Sequence, residues 1–226
     1  MSTNKPIIAA HLGEVVGNTT YTFTLNSFKI TDTRSRHEDT DFVAIAVAIG
    51  NNPPITSPTK SMGDLNNGTF QVNLSIPNVS VPAGSTVAFS YTIVNTGFDK
   101  NTVEQDLSKA VGSAATAAAS EGLKAAGAAI PVVGPIISVV GPPAAAWAIG
   151  KLEGIIFADC DGTVAAGDHV YTGAALANLT AGNKVISATD ENKGTNSPTG
   201  CGGNSHYFVT WSIAAHTTAF KVAAKS

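Results

Sequence analysis

The chain has 226 residues, of which 43% are hydrophobic and only 13% are charged, and its formal net charge is −3. This balance supports a folded core and argues against a disordered chain. The acidic pI of about 5.9 argues against a nucleic-acid-binding domain, which would carry a basic patch.

The first hundred residues alternate between hydrophobic and polar side chains, which is the period of β-strands. Residues 42–49 are hydrophobic at every position, so we predict a central strand covered on both faces. Residues 69–76 and 86–95 alternate, and each stretch is predicted to bury one face and to expose the other. Within 20–30 the hydrophobic positions change from odd to even, which predicts a β-bulge near residues 26–27.

Residues 103–154 break this alternation. The stretch 103–130 is rich in alanine, a strong helix former, and predicts one helix. Prolines then punctuate the chain, and one or two short apolar helices are expected before Phe157. Strands resume after it, and residues 206–213 predict a strand with four inward side chains: Tyr207, Val209, Trp211 and Ile213.

These patterns together predict a mainly β protein. We expect an antiparallel β-sandwich of Ig-like or C2-like architecture with an inserted Ala/Gly/Pro-rich helical hairpin. Residues 1–102 form the first part of the sandwich, residues 103–154 the insertion and residues 155–226 the second part, within a single domain.

The insertion contains 26 residues without a charge, from Ala125 to Gly150. That length suffices to cross a bilayer, although prolines and glycines divide it into shorter pieces. Three roles fit this insertion: a hairpin packed on the sheet, a membrane-active hairpin as in pore-forming proteins, or a homo-oligomer interface. Small residues recur every three to four positions and permit close backbone approach in each case; they are Gly112, Ala115, Ala119 and Gly122.

Two acidic loops suggest a metal site. Carboxylate oxygens are the ligands that Ca²⁺ prefers, and four of the sixteen acidic residues fall within 32–41. If the strands flanking this loop formed a hairpin, Asp32 and Asp41 would share one end of the sheet. We expect the two loops to converge and to bind Ca²⁺, against the alternative of a turn neutralised by Arg34 and Arg36. The candidate ligands are Asp32, Glu38, Asp39, Asp41, Asp159, Asp161 and Asp168.

The segment 155–164, IIFADCDGTV, resembles the first motif of the haloacid dehalogenase-like phosphatases. The resemblance implies that Asp159 is a phosphoryl-accepting nucleophile and Asp161 a general acid/base beside Mg²⁺. The rest of the chain departs from the family, because the part before the motif alternates as antiparallel β. Asp190 and Glu191, the one acidic doublet downstream, are expected in a Gly/Asn-rich loop.

The remaining polar residues carry weaker signals. His37 and His169 lie beside the acidic loops and are expected to be surface or turn residues, or further metal ligands. Trp211 is expected in the core. Cys160 and Cys201 are compatible with one disulfide or with two free thiols.

The function that fits best is a non-enzymatic binding or structural module. It would use Ca²⁺ and take a protein, glycan or lipid ligand, with no nucleic-acid partner. A membrane-active protein and a phosphatase are the alternatives. The N-terminus lacks the charged start and apolar core of a signal peptide, so we expect a cytoplasmic protein or a non-classical export route.

Overall fold

The computed structural model describes residues 16–35, 38–97, 100–127, 162–193 and 205–220. This part of the chain is mainly β, with antiparallel sheets and two helices. The strands in chain order are β1 (Val16–Asp32), β2 (Asp39–Ile49), β3 (Ile55–Thr56), β4 (Lys60–Leu65), β5 (Gly68–Ser80), β6 (Thr86–Asn95), β7 (Gly162–Thr172), β8 (Val185–Lys193) and β9 (His206–Phe220). The helices are α1 (Lys100–Gly127) and α2 (Gly173–Leu179).

These strands form two sheets. The first sheet has the order β5–β1–β9–β8, and the second has the order β3–β2–β6–β7, with β4 also paired to β2. Strands β1 and β2 therefore lie in different sheets and do not form the hairpin that the acidic loop suggested. The loop between them instead crosses from one sheet to the other.

The two sheets share one hydrophobic core. The ring centroid of Phe89 on β6 lies 5.8 Å from that of Phe23 on β1 and 6.1 Å from that of Trp211 on β9. The four side chains of β9 that were predicted to point inward are all buried. Their alternation is therefore confirmed.

A bulge in β1 keeps the hydrophobic side chains of that strand on one face. The pairing of β1 with both β5 and β9 shifts register between Leu25 and Ser27. Because of this extra residue, Leu25 and Phe28 are both buried. The predicted β-bulge is confirmed.

Helix α1 covers the outer face of the second sheet. Its buried side chains Val103, Leu107 and Val111 follow a four-residue spacing and pack against the alanines of β2. Strand β2 is therefore covered on both faces, as predicted. Strand β6 is buried at all ten positions, so the prediction that one of its faces meets water is wrong. Its second face carries small residues that contact α1.

The small residues of α1 allow this close packing. A Cβ atom added to Gly122 would lie 2.5 Å from Cγ1 of Val170, and one added to Gly112 would lie 3.0 Å from Cγ2 of Thr56. The predicted close approach is thus confirmed for α1. The second half of the predicted hairpin lies outside the described residues. Neither described helix combines the length and the hydrophobicity that crossing a bilayer requires.

Candidate functional site

A carboxylate cluster lies where β2 begins, and we define it as Asp39, Asp41 and Tyr207. Oδ1 and Oδ2 of Asp39 accept hydrogen bonds of 2.8 Å from the backbone N–H groups of Ser35 and Arg34. The Tyr207 hydroxyl, from β9 of the other sheet, lies 2.7 Å from Asp39 Oδ2 and 2.9 Å from Asp41 Oδ2. The cluster therefore ties the crossing loop and β2 to the first sheet.

The surroundings of Asp41 favour its protonated form. Burial, followed by the neighbouring Asp39 charge, raises the pKa of Asp41 well above its usual range. A phenol has one hydrogen and can donate to one carboxyl group at a time. Asp39 already accepts two N–H groups, which favours its ionised form as an acceptor. With Asp41 protonated, both contacts are satisfied if Asp41 donates its proton to the Tyr207 oxygen and the Tyr207 hydroxyl donates to Asp39. Asp41 Oδ1 remains buried without a hydrogen-bond partner in the described part of the chain.

The two predicted acidic loops meet in part. Gly162, which directly follows Asp161, packs against Arg34: a Cβ atom added there would lie 2.7 Å from the guanidinium carbon. Asp159 and Asp161 themselves lie outside the described residues. Asp168 is elsewhere on the sheet, because it pairs with Ser90 whereas Asp41 pairs with Asn95. Five residues of an extended strand separate those positions by about 16 Å.

The other predicted ligands of the first loop, Asp32 and Glu38, are exposed. Among the described residues, no group of three or more His, Cys, Asp and Glu side chains is arranged to hold a metal ion. The structure thus brings Asp39 and Asp41 together and keeps Asp168 apart. The calcium site stays a prediction.

A second cluster joins the free edges of the two sheets, where β7 and β8 lie side by side. We call it the seam cluster and define it as Tyr91, His169, Asp190, Asn192 and Trp211. Oδ2 of Asp190 is 2.8 Å from the Tyr91 hydroxyl, 2.8 Å from His169 Nε2 and 3.0 Å from Trp211 Nε1. Three strands from two sheets thus converge on a single carboxylate oxygen.

These contacts keep Asp190 charged. Burial alone would raise the pKa of Asp190, but the hydrogen bonds from His169, Tyr91 and Trp211 and the nearby His169 ring outweigh it and lower that pKa. The Asp190 side chain remains 25% exposed. Within the described residues, its second oxygen, Oδ1, accepts no hydrogen bond.

The neighbours of Asp190 are fixed by packing. The His169 ring is 4% exposed, and its centroid lies 4.0 Å from that of Trp211. The Asn192 amide accepts from the backbone N–H of Ala166 at 3.1 Å and donates to the Tyr91 hydroxyl at 3.1 Å. Strands β7 and β8 belong to different sheets and are not paired through their backbones. The Asn192 side chain links them instead.

Gly167 makes room for Tyr91. The two residues are register partners on β7 and β6, and a Cβ atom at Gly167 would lie 2.6 Å from the Tyr91 ring. Any larger residue would push the ring away from Gly167. The glycine is therefore needed for the Tyr91 hydroxyl to reach Asp190.

A pocket of about 310 Å³ opens at this seam, and we call it the seam pocket. The described residues that line it include the carboxylates Asp168, Asp190 and Glu191 but no lysine or arginine. The volume is at the lower end of those of small-molecule sites. Glu191 is already paired with His206 and Lys193, so Asp190 is the carboxylate that favours a ligand that is positively charged or rich in hydrogen-bond donors.

Sequence reasoning did not find the seam cluster. Asp190 and Glu191 lie in strand β8 rather than in a loop, and His169 is a buried residue rather than a surface one. Trp211 is in the core as expected, but its N–H group also serves the site. The available signal was the period-2 alternation of β8, which places Ile186, Asp190 and Asn192 on the same face.

A larger groove of about 1000 Å³ runs beside α1 and the segment that contains Pro54 and Thr56. Its lining is mostly small and hydroxyl-bearing, with Lys109 and Glu121 as the charged residues. Among the described residues, this groove has no set of side chains that converge on one atom as the seam cluster does. The seam pocket is therefore the better candidate site.

Comparison with known proteins adds no assignment. No protein-family model matches the chain, and no curated protein matches it either.

Proposed function

We propose that the chain is a non-enzymatic binding module, a two-sheet sandwich of the Ig-like or C2-like kind, with its ligand site at the seam pocket. One observation carries this proposal: Asp190 is a charged carboxylate with one oxygen held by three donors and the other oxygen facing no protein donor among the described residues. The candidate ligands are groups of a protein, a glycan or a lipid, and small polar molecules.

The rigidity of the cluster supports binding. Groups that are locked in place before a ligand arrives lose little conformational entropy on association. Asp190 is held by side chains of β6, β7 and β9, and the His169 ring packs against Trp211 with their planes tilted by 38°. A buried, tightly packed imidazole with its Nε2 on a carboxylate suits a fixed hydrogen-bonding role, so we assign His169 to positioning Asp190.

The test blocks the pocket without removing its polar groups. Ala166 lines the pocket, and Ala166→Leu should fill it. Ala181→Leu is the matched control, because Ala181 is exposed in the turn before β8 and does not line the pocket. Small polar molecules screened by NMR should shift the amides of residues 166–169 and 189–192 in the wild type and in Ala181→Leu, but not in Ala166→Leu. Shifts confined to the groove beside α1 would contradict the proposal.

Calcium binding by the acidic loops is the second candidate. The contact between Gly162 and Arg34 brings the residue after Asp161 to the first acidic loop, where Ca²⁺ would compete with the Arg34 guanidinium for the carboxylates. Added Ca²⁺ should raise the melting temperature, since a ligand of the native state stabilises that state. The rise should vanish in Asp161→Asn and persist in Glu121→Gln, where the glutamate is exposed on α1. An unchanged melting temperature with Ca²⁺ and with a chelator would exclude this candidate.

A further inference from the structure

We infer that the seam pocket binds a primary ammonium group, either of a small amine or of a lysine side chain. This inference rests on the proposed binding function and names the ligand chemistry. The reason is that the side-chain donors of the seam cluster already contact other protein groups, whereas two of its acceptor oxygens have capacity left.

The donors of the seam cluster are engaged. The Tyr91 hydroxyl, His169 Nε2 and Trp211 Nε1 all contact Asp190 Oδ2. The Asn192 amide nitrogen contacts the Tyr91 hydroxyl and the backbone oxygen of Asp190. A ligand that needs donors from these side chains would have to break existing hydrogen bonds.

The acceptors have capacity left. Asp190 Oδ1 accepts nothing from the described residues, and Asn192 Oδ1 accepts one N–H group although a carbonyl oxygen has two lone pairs. An ionised carboxylate forms its strongest hydrogen bonds with charged donors. The site therefore fits a ligand that brings several N–H groups and a positive charge.

A primary ammonium fits this description better than the other cations. It carries three donors on a compact head, which suits a pocket of about 310 Å³. A quaternary ammonium has charge but no N–H donor. A bare metal ion requires several oxygen ligands, and the described residues contain no group of three acidic or metal-binding side chains arranged for one.

The test is an NMR titration of the whole chain with three probes of similar size: propylammonium, propanol and tetramethylammonium. Propylammonium should shift the amides of residues 166–169 and 189–192 in a saturable way, and its Kd should be at least tenfold lower than that of either other probe. Asp190→Asn should weaken propylammonium at least tenfold, and the control Asp64→Asn should leave it unchanged. Should Asp190→Asn lose its fold, the comparison of the three probes on the wild type decides alone.

Equal binding of propanol or of tetramethylammonium would overturn the inference, because charge and N–H donors would then not both be needed. A methyl glycoside that shifts the same amides while propylammonium does not would also overturn it and leave the proposed function standing. If no probe shifts these amides, and none of the small polar molecules screened for the proposed function does so either, both the inference and the proposed function would be contradicted.

A blocked lysine peptide identifies the source of the ammonium group. If acetyl-Gly-Lys-Gly-amide binds at least tenfold more tightly than propylammonium, the natural ligand is a lysine side chain of a partner. Comparable affinities assign the site to free amines. Both results support the inference.

Discussion

The Tyr207 hydroxyl lies 2.9 Å from Oδ2 of Asp41, and this contact joins the two sheets through a buried carboxyl group whose pKa is raised by burial and by the neighbouring Asp39 charge. Asp41 is fully buried, and Asp39 stands beside it. The contact has consequences for how stability depends on pH.

The first prediction concerns Asp41 itself. Burial and the Asp39 charge raise the folded-state pKa of Asp41, so the folded state holds this proton more tightly than the unfolded chain does. Its stabilising contribution is complete below about pH 4, the ordinary aspartate range, and is lost as pH rises towards the folded pKa. Asp41→Asn should therefore gain stability relative to wild type as pH rises from 4 to 8, measured by urea unfolding.

A difference between Asp41→Asn and the wild type that stays constant from pH 4 to 8 would contradict this prediction, because it would mean that Asp41 is charged in the folded state.

The second prediction concerns the Tyr207 hydroxyl. Its loss in Tyr207→Phe leaves two buried carboxyl groups short of a hydrogen bond, which should cost about 1–3 kcal/mol of stability. Tyr171→Phe is the matched control, because Tyr171 is also buried but makes no hydroxyl hydrogen bond to the described residues. Chemical denaturation should separate the two variants. If both variants lost the same small amount of stability, the Tyr207 hydroxyl would contribute nothing and only the packing of its ring would stabilise the protein.

The third prediction concerns Gly167. A methyl group there would lie 2.6 Å from the Tyr91 ring, so Gly167→Ala should destabilise the protein by about 1–3 kcal/mol. It should also shift the NMR signal of the Trp211 N–H group, because the displaced Tyr91 hydroxyl shares Asp190 with it. Gly84→Ala should do neither, since nothing lies within 4 Å of that position. An unperturbed Trp211 signal in Gly167→Ala would show that Tyr91 does not set the geometry of Asp190.

The fourth prediction tests whether α1 and the sheets form one cooperative unit. Leu107 is fully buried against the second sheet, and Leu107→Ala should cost about 2–5 kcal/mol. The helical circular-dichroism signal and the hydrogen exchange of β9 amides should report the same loss. Lys109→Ala, on the exposed face, should be neutral in both. A loss confined to the helical signal would make α1 an independently unfolding segment.

The local features of the fold could be predicted from the sequence. The change of phase after Leu25 located the bulge, and the alanine-rich stretch located α1, because both depend on neighbouring residues. The covering of both faces of β6 could not be predicted. Its second face carries residues such as Ala88, Ser90 and Thr92, whose modest polarity does not reveal a helix packed on them.

The seam cluster was hidden for a related reason. Asp190 is 99 positions from Tyr91 and 21 from His169 and Trp211, and these residues meet only once the two sheets have packed together with β7 beside β8. No local pattern encodes such a meeting. The acidic loops gave a stronger sequence signal, yet Asp39 and Asp41, the two residues of that signal that the structure brings together, are buried against the Tyr207 hydroxyl.

The most direct test of the account is a pH titration of the Asp190 side-chain carboxyl carbon by NMR. Hydrogen bonds from His169, Tyr91 and Trp211 should hold its pKa below the ordinary aspartate value of about 3.9, and His169→Gln should raise it. The account predicts that Asp190 is fully ionised at neutral pH and ready to accept a cationic ligand. A pKa at or above the ordinary value would contradict it.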